Sequence, residues 1–187
     1  IINAGINATS QLNAIKKFIE LNEIKKTIFL TPDVSFKNEI EKAISNSKIK
    51  ILENYIYNTD PTKLTKQIEK ITRYEIRKQN LEDEINRLEK SEQSNKELLI
   101  ERLKKRDTLG SVKFDSVVIS DFDESLKSVT TSLLYTDITP KEKYFITLNQ
   151  WFDESLLKET SSQPLYFPSA NKDNYDEFSN EYFEKYN

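Results

Sequence analysis

Four short apolar runs in the sequence are each followed at once by small polar or amide side chains. Thr31 and Asp33 follow the first, Asn58, Thr59 and Asp60 the second, Ser120 and Asp121 the third, and Asn149, Gln150 and Trp151 the fourth. Parallel sheets bind ligands in the crevice outside the carboxyl ends of their strands, so residues at those places can converge on one site. Thr31, Asp33, Thr59, Asp121, Asn149, Gln150 and Trp151 are therefore the candidate cleft residues: hydrogen-bonding groups for a small polar ligand and one indole as an apolar wall. The aspartates have a second reading. Asp33, Asp60 and Asp121 each stand where a helix N-cap is expected, and Trp151 suits core packing as well as a cleft.

No catalytic residue is expected. The chain contains neither histidine nor cysteine, which removes imidazole bases, thiolate nucleophiles and the zinc, haem and copper sites that depend on them. Two Ser-x-x-Lys spacings, Ser45 with Lys48 and Ser155 with Lys158, have the arrangement of an acylating serine with a lysine base. Neither is accompanied by the Ser-Asp-Asn or Lys-Thr-Gly elements of such enzymes. Asp121 and Asp123 lack the glycine-bearing loop of a calcium site and an obvious third ligand, so no metal is expected. With only two glycines in 187 residues, phosphate-cradling loops are excluded, and no cofactor is expected.

The charge balance points the same way. Lys plus Arg is 28 against 31 Asp plus Glu, a net charge of -3, which gives no electrostatic reason to expect a nucleic-acid or anionic-membrane partner. No apolar run approaches the roughly 18 residues of a membrane span. The first residues, Ile1-Ile2-Asn3, show no start methionine or signal pattern, so the chain reads as an internal piece of a longer protein.

The elements that would position the cleft alternate between helix and strand. Leu12, Ile15, Phe18 and Ile19 recur at helical spacing before the run Thr27-Ile28-Phe29-Leu30, which suits a buried parallel strand. Phe36, Ile40, Ala43 and Ile44 mark a second helix, and residues 49–57 a second strand. Asp60-Pro61 is a helix start, with Asp as N-cap and Pro at the first helical position. Ser116-Val117-Val118-Ile119 is a third strand, with Asp121 and Glu124 resembling a capping box ahead of the next helix. Residues 144–148 form a fourth strand, 164–167 an edge strand or an extended loop, and Tyr175, Phe178, Tyr182 and Tyr186 one aromatic face of a terminal helix. Such alternation predicts an α/β fold, a doubly wound parallel sheet covered on both faces.

One segment departs from this rhythm. From Pro61 to about Lys90 the helical signal runs for roughly 30 residues, or about 45 Å, which exceeds the face of a small sheet. Ser94 and Glu97 then suggest the capping box of a returning helix. Residues 73–109 are thus expected to form an antiparallel helical hairpin inserted in the lobe, with Leu81, Ile85 and Leu88 facing Leu99 and Leu103. Its charged flanks read as a solvated surface or as a partner-docking arm.

The order of these elements resembles the second lobe of type I periplasmic binding proteins, the leucine-binding-protein-like family. The resemblance rests on Ile28-Phe29-Leu30-Thr31-Pro32-Asp33, on the strand ending Tyr57-Asn58-Thr59-Asp60, and on Phe114-Asp115-Ser116-Val117-Val118-Ile119. Nearer still are the penicillin-binding protein activators of alphaproteobacterial type, often described as amino-acid ABC-transporter substrate-binding proteins. There a charged hairpin precedes a junction similar to Asp107-Thr108-Leu109-Gly110 with Phe114-Asp115. A stretch similar to Tyr135-Thr136-Asp137-Ile138-Thr139-Pro140 follows, then a strand and a tryptophan, here Trp151. The glycine-bearing segment after the fourth strand is replaced here by Thr147-Leu148-Asn149-Gln150-Trp151.

The resemblance implies a non-catalytic lobe of a two-lobed protein in the periplasm or cell envelope, in the company of lipoproteins. Its partner would be a peptidoglycan synthase, docked through the hairpin leucines. The alternative is the solute-binding lobe of an importer's receptor, taking an amino acid or similar polar solute.

Overall fold

The computed structural model describes residues 7–148, 162–169 and 172–186. Helix α1 (Ala8–Leu21) starts where the Asn7 side chain accepts from the Ser10 N–H at 2.8 Å, and it buries Leu12, Ile15 and Ile19 on one stripe. Strand β1 (Thr27–Pro32) is buried along its whole length. Then follow α2 (Lys37–Ser47), β2 (Glu53–Tyr57), α3 (Pro61–Thr72), α4 (Tyr74–Glu89), α5 (Lys96–Leu103), β3 (Ser116–Ile119), α6 (Asp123–Tyr135), β4 (Tyr144–Thr147), β5 (Leu165–Tyr166) and α7 (Lys172–Tyr186).

The five strands form one parallel sheet in the order β2-β1-β3-β4-β5. Register sorts the side chains by face. Ile28, Val117, Phe145 and Leu165 lie in one row, and Phe29, Val118, Ile146 and Tyr166 in the next. Because successive residues of a strand point to opposite faces, the first row packs with Leu64 and Ile68 of α3 and Leu126, Val129 and Leu133 of α6. The second packs with Leu12, Ile15 and Ile19 of α1 and Ile40 and Ala43 of α2. Helices thus cover both faces, as the alternating sequence predicts, and the 164–167 stretch supplies an edge strand.

The long helix does not form as one piece. It breaks at Arg73, which takes a left-handed conformation (φ 56°, ψ 39°) and caps α3 by donating its N–H to Glu69 and Lys70 carbonyls. The reason lies in the phase of the apolar stripes. Leu64, Ile68 and Thr72 face the sheet, whereas Arg77, Leu81 and Leu88 are the buried positions of α4. A straight helix would carry the first stripe on to Ile76, which is 49% exposed; one left-handed residue re-phases the chain. The outgoing arm α4 has 16 residues, or about 24 Å instead of the expected 45 Å.

Three expected caps are also absent. Helix α2 starts with Phe36 at its N-cap, α5 with Asn95 and α6 with Phe122, none with a side-chain cap hydrogen bond. Only Asp60, of the three aspartates, caps a helix, accepting from Lys63 N–H at 3.0 Å. The Ser94 and Glu97 pair does not form a capping box, since α5 starts at Lys96.

Candidate ligand crevice and hairpin base

The strand order reverses between β1 and β3: one crossover leaves β1 through α2 to β2, and the next returns through α3 to the other side. The crevice of a doubly wound sheet lies outside the carboxyl ends of these two strands. Thr31 and Ser120 reach it on the α1/α2 face. Thr31 is fully buried; its Oγ1 donates to Asn54 Oδ1 at 2.8 Å and lies 3.1 Å from Ser120 Oγ, which donates to the Leu30 carbonyl.

Asp121 occupies the α3/α6 face. It is 5% exposed. Its Oδ2 accepts from the Tyr57 hydroxyl and from Ser125 Oγ at 2.6 Å, and its Oδ1 from the Phe122 N–H at 2.8 Å. Tyr57, the last residue of β2, therefore spans the end of β1 to reach a residue beyond β3. Burial, then the charge and hydrogen bond of Asp121, push the Tyr57 phenol far above its ordinary range. Here a tertiary donor, 64 residues away in sequence, takes the carboxylate that the sequence assigns to a cap.

Asp33 and Thr59 form the exposed rim. The Asp33 N–H extends the β1/β2 ladder by donating to the Tyr57 carbonyl at 2.8 Å. Its carboxylate accepts from Lys37 Nζ at 2.7 Å, a bond that raises the lysine pKa, as does the aspartate charge. Thr59 stands in the turn between β2 and α3, where Asn58 N–H donates to Gln67 Oε1. The structure thus brings Thr31, Asp33, Thr59 and Asp121 to one edge of the sheet. Asn149, Gln150 and Trp151 lie outside the described residues, as do Ser155 and Lys158. Ser45 and Lys48 are joined by a helix-terminating turn, with Lys48 left-handed and its N–H on the Ser45 carbonyl at 3.3 Å. Among the described residues no group of three or more acidic side chains could hold a metal.

The sequence reading missed Tyr57, Ser125 and Asn54. Ser125 had a signal, four residues after Asp121 on the following helix; a tyrosine ending a strand ahead of a polar turn was a weaker one.

A second polar cluster fixes the hairpin. Arg77, with a side chain 7% exposed, donates from Nη1 to the Thr136 carbonyl at 3.0 Å and from Nη2 to Thr108 Oγ1 at 2.6 Å. Longer bonds reach the Gly110 and Asp137 carbonyls, both at 3.3 Å. Thr108 Oγ1 in turn donates to Asp137 Oδ2 at 2.5 Å, the Leu109 N–H to the Arg77 carbonyl at 2.9 Å, and the Tyr74 and Tyr135 rings meet at 5.5 Å. Burial lowers the guanidinium pKa, against the opposing charges of Asp137 and Glu142; an arginine stays charged throughout. The segments singled out as motifs, residues 107–110 and 135–140, therefore meet at one arginine, which locks α4 to the end of α6.

Helices α4 and α5 pack on each other. Leu81 and Leu88 are buried at 7% and 2% exposure, and Ile85, Leu99 and Leu103 are half-buried. Side chains this covered hold the hairpin together; the apolar area it offers to solvent is that of Ile76 and Leu98, 49% and 51% exposed.

No family model matches the chain, and no curated protein matches it. Among solved structures, an extracellular ligand-binding receptor from Verminephrobacter eiseniae is 9% identical with a TM-score of 0.44, over 76% of this chain and 30% of its own. A myo-inositol binding protein from Caulobacter, bound to myo-inositol, is 10% identical with a TM-score of 0.45, over 82% of this chain and 43% of its own. The chain therefore spans less than half the length of either structure. The class is defined by the sheet itself: an all-parallel, doubly wound α/β lobe. Among the described residues no helix is long and apolar enough to cross a membrane.

Proposed function

We propose that this chain is a non-catalytic, solute-binding lobe of a two-lobed receptor, working outside the cytoplasmic membrane. The observation that carries the reading is the carboxyl edge at β1 and β3. There hydroxyls and a carboxylate are held in place on both faces of the sheet: Thr31 with Ser120 and Asn54 on one, Asp121 with Tyr57 and Ser125 on the other. They form a fixed floor at a topological switch point, above which the exposed Asp33 carboxylate and Thr59 hydroxyl suit a small polar solute that carries hydroxyl or ammonium donors. The same edge offers no nucleophile paired with a base, since the chain has no histidine or cysteine and the Asp121 oxygens already accept from Tyr57, Ser125 and Phe122.

Calorimetric titration of the full-length protein with amino acids, sugars and polyols tests this reading. One solute class should bind, and Asp33→Ala or Thr59→Val, both at the exposed rim, should weaken it by about tenfold each, the loss of one hydrogen bond of roughly 1.4 kcal/mol. Silence across the panel, or binding indifferent to both variants, refutes it.

A second reading, an envelope regulator resembling penicillin-binding protein activators, is favoured by the hairpin, which Arg77 holds rigidly against the lobe. Its signature is co-purification with a peptidoglycan synthase that depends on residues 74–109, together with a silent solute panel.

A further inference from the structure

Strand β2 closes one side of the sheet: among the described residues it pairs with β1 and with no other strand. The Tyr57 carbonyl is turned towards β1, where it accepts from the Asp33 N–H at 2.8 Å. Main-chain groups alternate in direction along a parallel ladder, so the N–H and C=O of Asn54 and Ile56 point away from β1 and leave an open edge. The strand itself, Glu-Asn-Tyr-Ile-Tyr, contains neither proline nor lysine, the residues with which natural edges most often stop further pairing.

A groove of about 450 Å³ runs along this edge. Tyr55 and Ile56 both line it, and because consecutive strand residues point to opposite faces, the groove follows the main chain and not one face alone. Its other wall is the C-terminal end of α3 with Lys70, Ile71 and Arg73, joined by Lys113 from the segment before β3. Tyr55 and Ile71, half-buried on the core beneath α3, add apolar surface to the same groove. Three cations and, among the described residues, no carboxylate line it. Grooves of similar size elsewhere mix the signs: Lys66, Lys70 and Arg73 meet Glu69 and Glu75 in one of about 510 Å³, and four lysines meet Glu20 and Glu23 in one of about 610 Å³. The one carboxylate of β2, Glu53, is engaged by the Tyr55 hydroxyl.

We propose that the free edge of β2 docks an acidic, extended peptide segment of a partner protein, which adds to the sheet as a sixth strand and sets its carboxylates against Lys70, Arg73 and Lys113. The edge dictates the main-chain conformation, since an extended chain presents donors and acceptors at the spacing of Asn54 and Ile56, and the cations dictate the sign. Side chains of an added strand alternate between the faces, so its acidic residues stand at every second position, on the α3 side. Five residues of strand, about 17 Å, match the length of β2. A second copy of this chain does not fit. Laying β2 against β2 brings the cations of two grooves together, and their repulsion keeps the open edge from pairing with itself. Docking at this edge requires nothing of the solute crevice.

Fluorescence anisotropy with short labelled peptides and the full-length protein tests this inference. The probe alternates Glu with Val; a Lys-Val counterpart tests the sign of the charge, and a fully N-methylated copy of the probe tests main-chain pairing. The Glu-Val probe should bind with a dissociation constant that rises with ionic strength, and about tenfold or more tighter than either control. Lys70→Glu/Lys113→Glu should weaken it about tenfold or more. Ile56→Pro removes an outward N–H and leaves the β1 ladder intact, and should weaken it by about tenfold, the loss of one hydrogen bond. Circular dichroism checks that each variant is folded; should one unfold, the two control peptides read charge and main-chain pairing on the unaltered protein. A Glu-Val probe that fails to bind, an N-methylated copy that binds equally well, or binding indifferent to both folded variants overturns the proposal.

Discussion

Replacing Arg77 by Ala removes the one side chain that ties α4, the 108–110 junction and the end of α6 together. Its guanidinium makes four hydrogen bonds at 2.6 to 3.3 Å, three of them to main-chain carbonyls, which water cannot fully replace where the site stays closed. Asp137 adds little, because its side chain is 36% exposed and 3.6 Å away, and ion pairs of that kind contribute at most about 1 kcal/mol. Bonds from a charged donor contribute roughly 1.5–3 kcal/mol each when well formed. The 3.0 and 2.6 Å bonds to Thr136 and Thr108 carry most of that, so the total should be about 3–5 kcal/mol. That is a large share of the roughly 5–15 kcal/mol of a typical domain. Arg77→Lys should recover less than half, since an ammonium cannot fork across acceptors on three segments. Urea denaturation followed by circular dichroism gives the magnitude, and limited proteolysis gives the location. Cleavage should speed up first in residues 104–110, released from the base, before the sheet opens. A loss below about 1 kcal/mol with an unchanged cleavage pattern would mean that packing of Tyr74 on Tyr135, and not the guanidinium, holds the hairpin.

Two phenols make alkaline stability measurable. Burial first, then the Glu53 hydrogen bond and charge, push Tyr55 from 10.0 up to about 12, and Tyr57 is pushed higher still. Raised folded-state values mean that their contribution is full below pH 10 and declines as pH climbs towards 12, the unfolded chain losing protons first. Tyr57→Phe should cost about 1–3 kcal/mol near neutrality, leaving Asp121 one donor short, and should flatten the alkaline slope; a pH series of denaturant midpoints with tyrosinate absorbance reads both. Lys48→Gly should stabilise by about 0.5–1 kcal/mol, a rise of a few degrees in melting temperature, because the left-handed cap of α2 (φ 53°) strains any side chain. Replacing residues 73–109 with a short Gly-Ser linker should leave the five-stranded sheet folded by circular dichroism, since neither sheet face draws its core from α4 or α5; global unfolding of that variant would show the hairpin to be part of the folding unit.

The sheet was legible because its evidence is local. Continuous runs such as Ile28-Phe29-Leu30 and Val117-Val118-Ile119 become strands buried on both faces, and Asp60-Pro61 announces α3 by chemistry confined to four residues. What stayed hidden depends on distant partners. The break at Arg73 has no turn residue to mark it; an arginine stands where glycine usually would, and only the shift of the buried stripe from Thr72 to Arg77 records it. Arg77 itself looked like one more charge on a solvated face, since its acceptors are mostly main-chain carbonyls, which carry no side-chain signature. Asp121 is marked in the sequence by its place just after the third strand, but its role as anchor for Tyr57 depends on the order of the strands.

Helix α6 touches both polar clusters. Ser125, in its first turn, holds the Asp121 carboxylate at the crevice, and Thr136, just past its last turn, receives the Arg77 guanidinium. Thirteen residues, about 20 Å of stiff rod, separate the two. One helix thus carries the crevice cluster at its first turn and the hairpin base just past its last, while α4 also joins the lobe through its junction with α3 at Arg73.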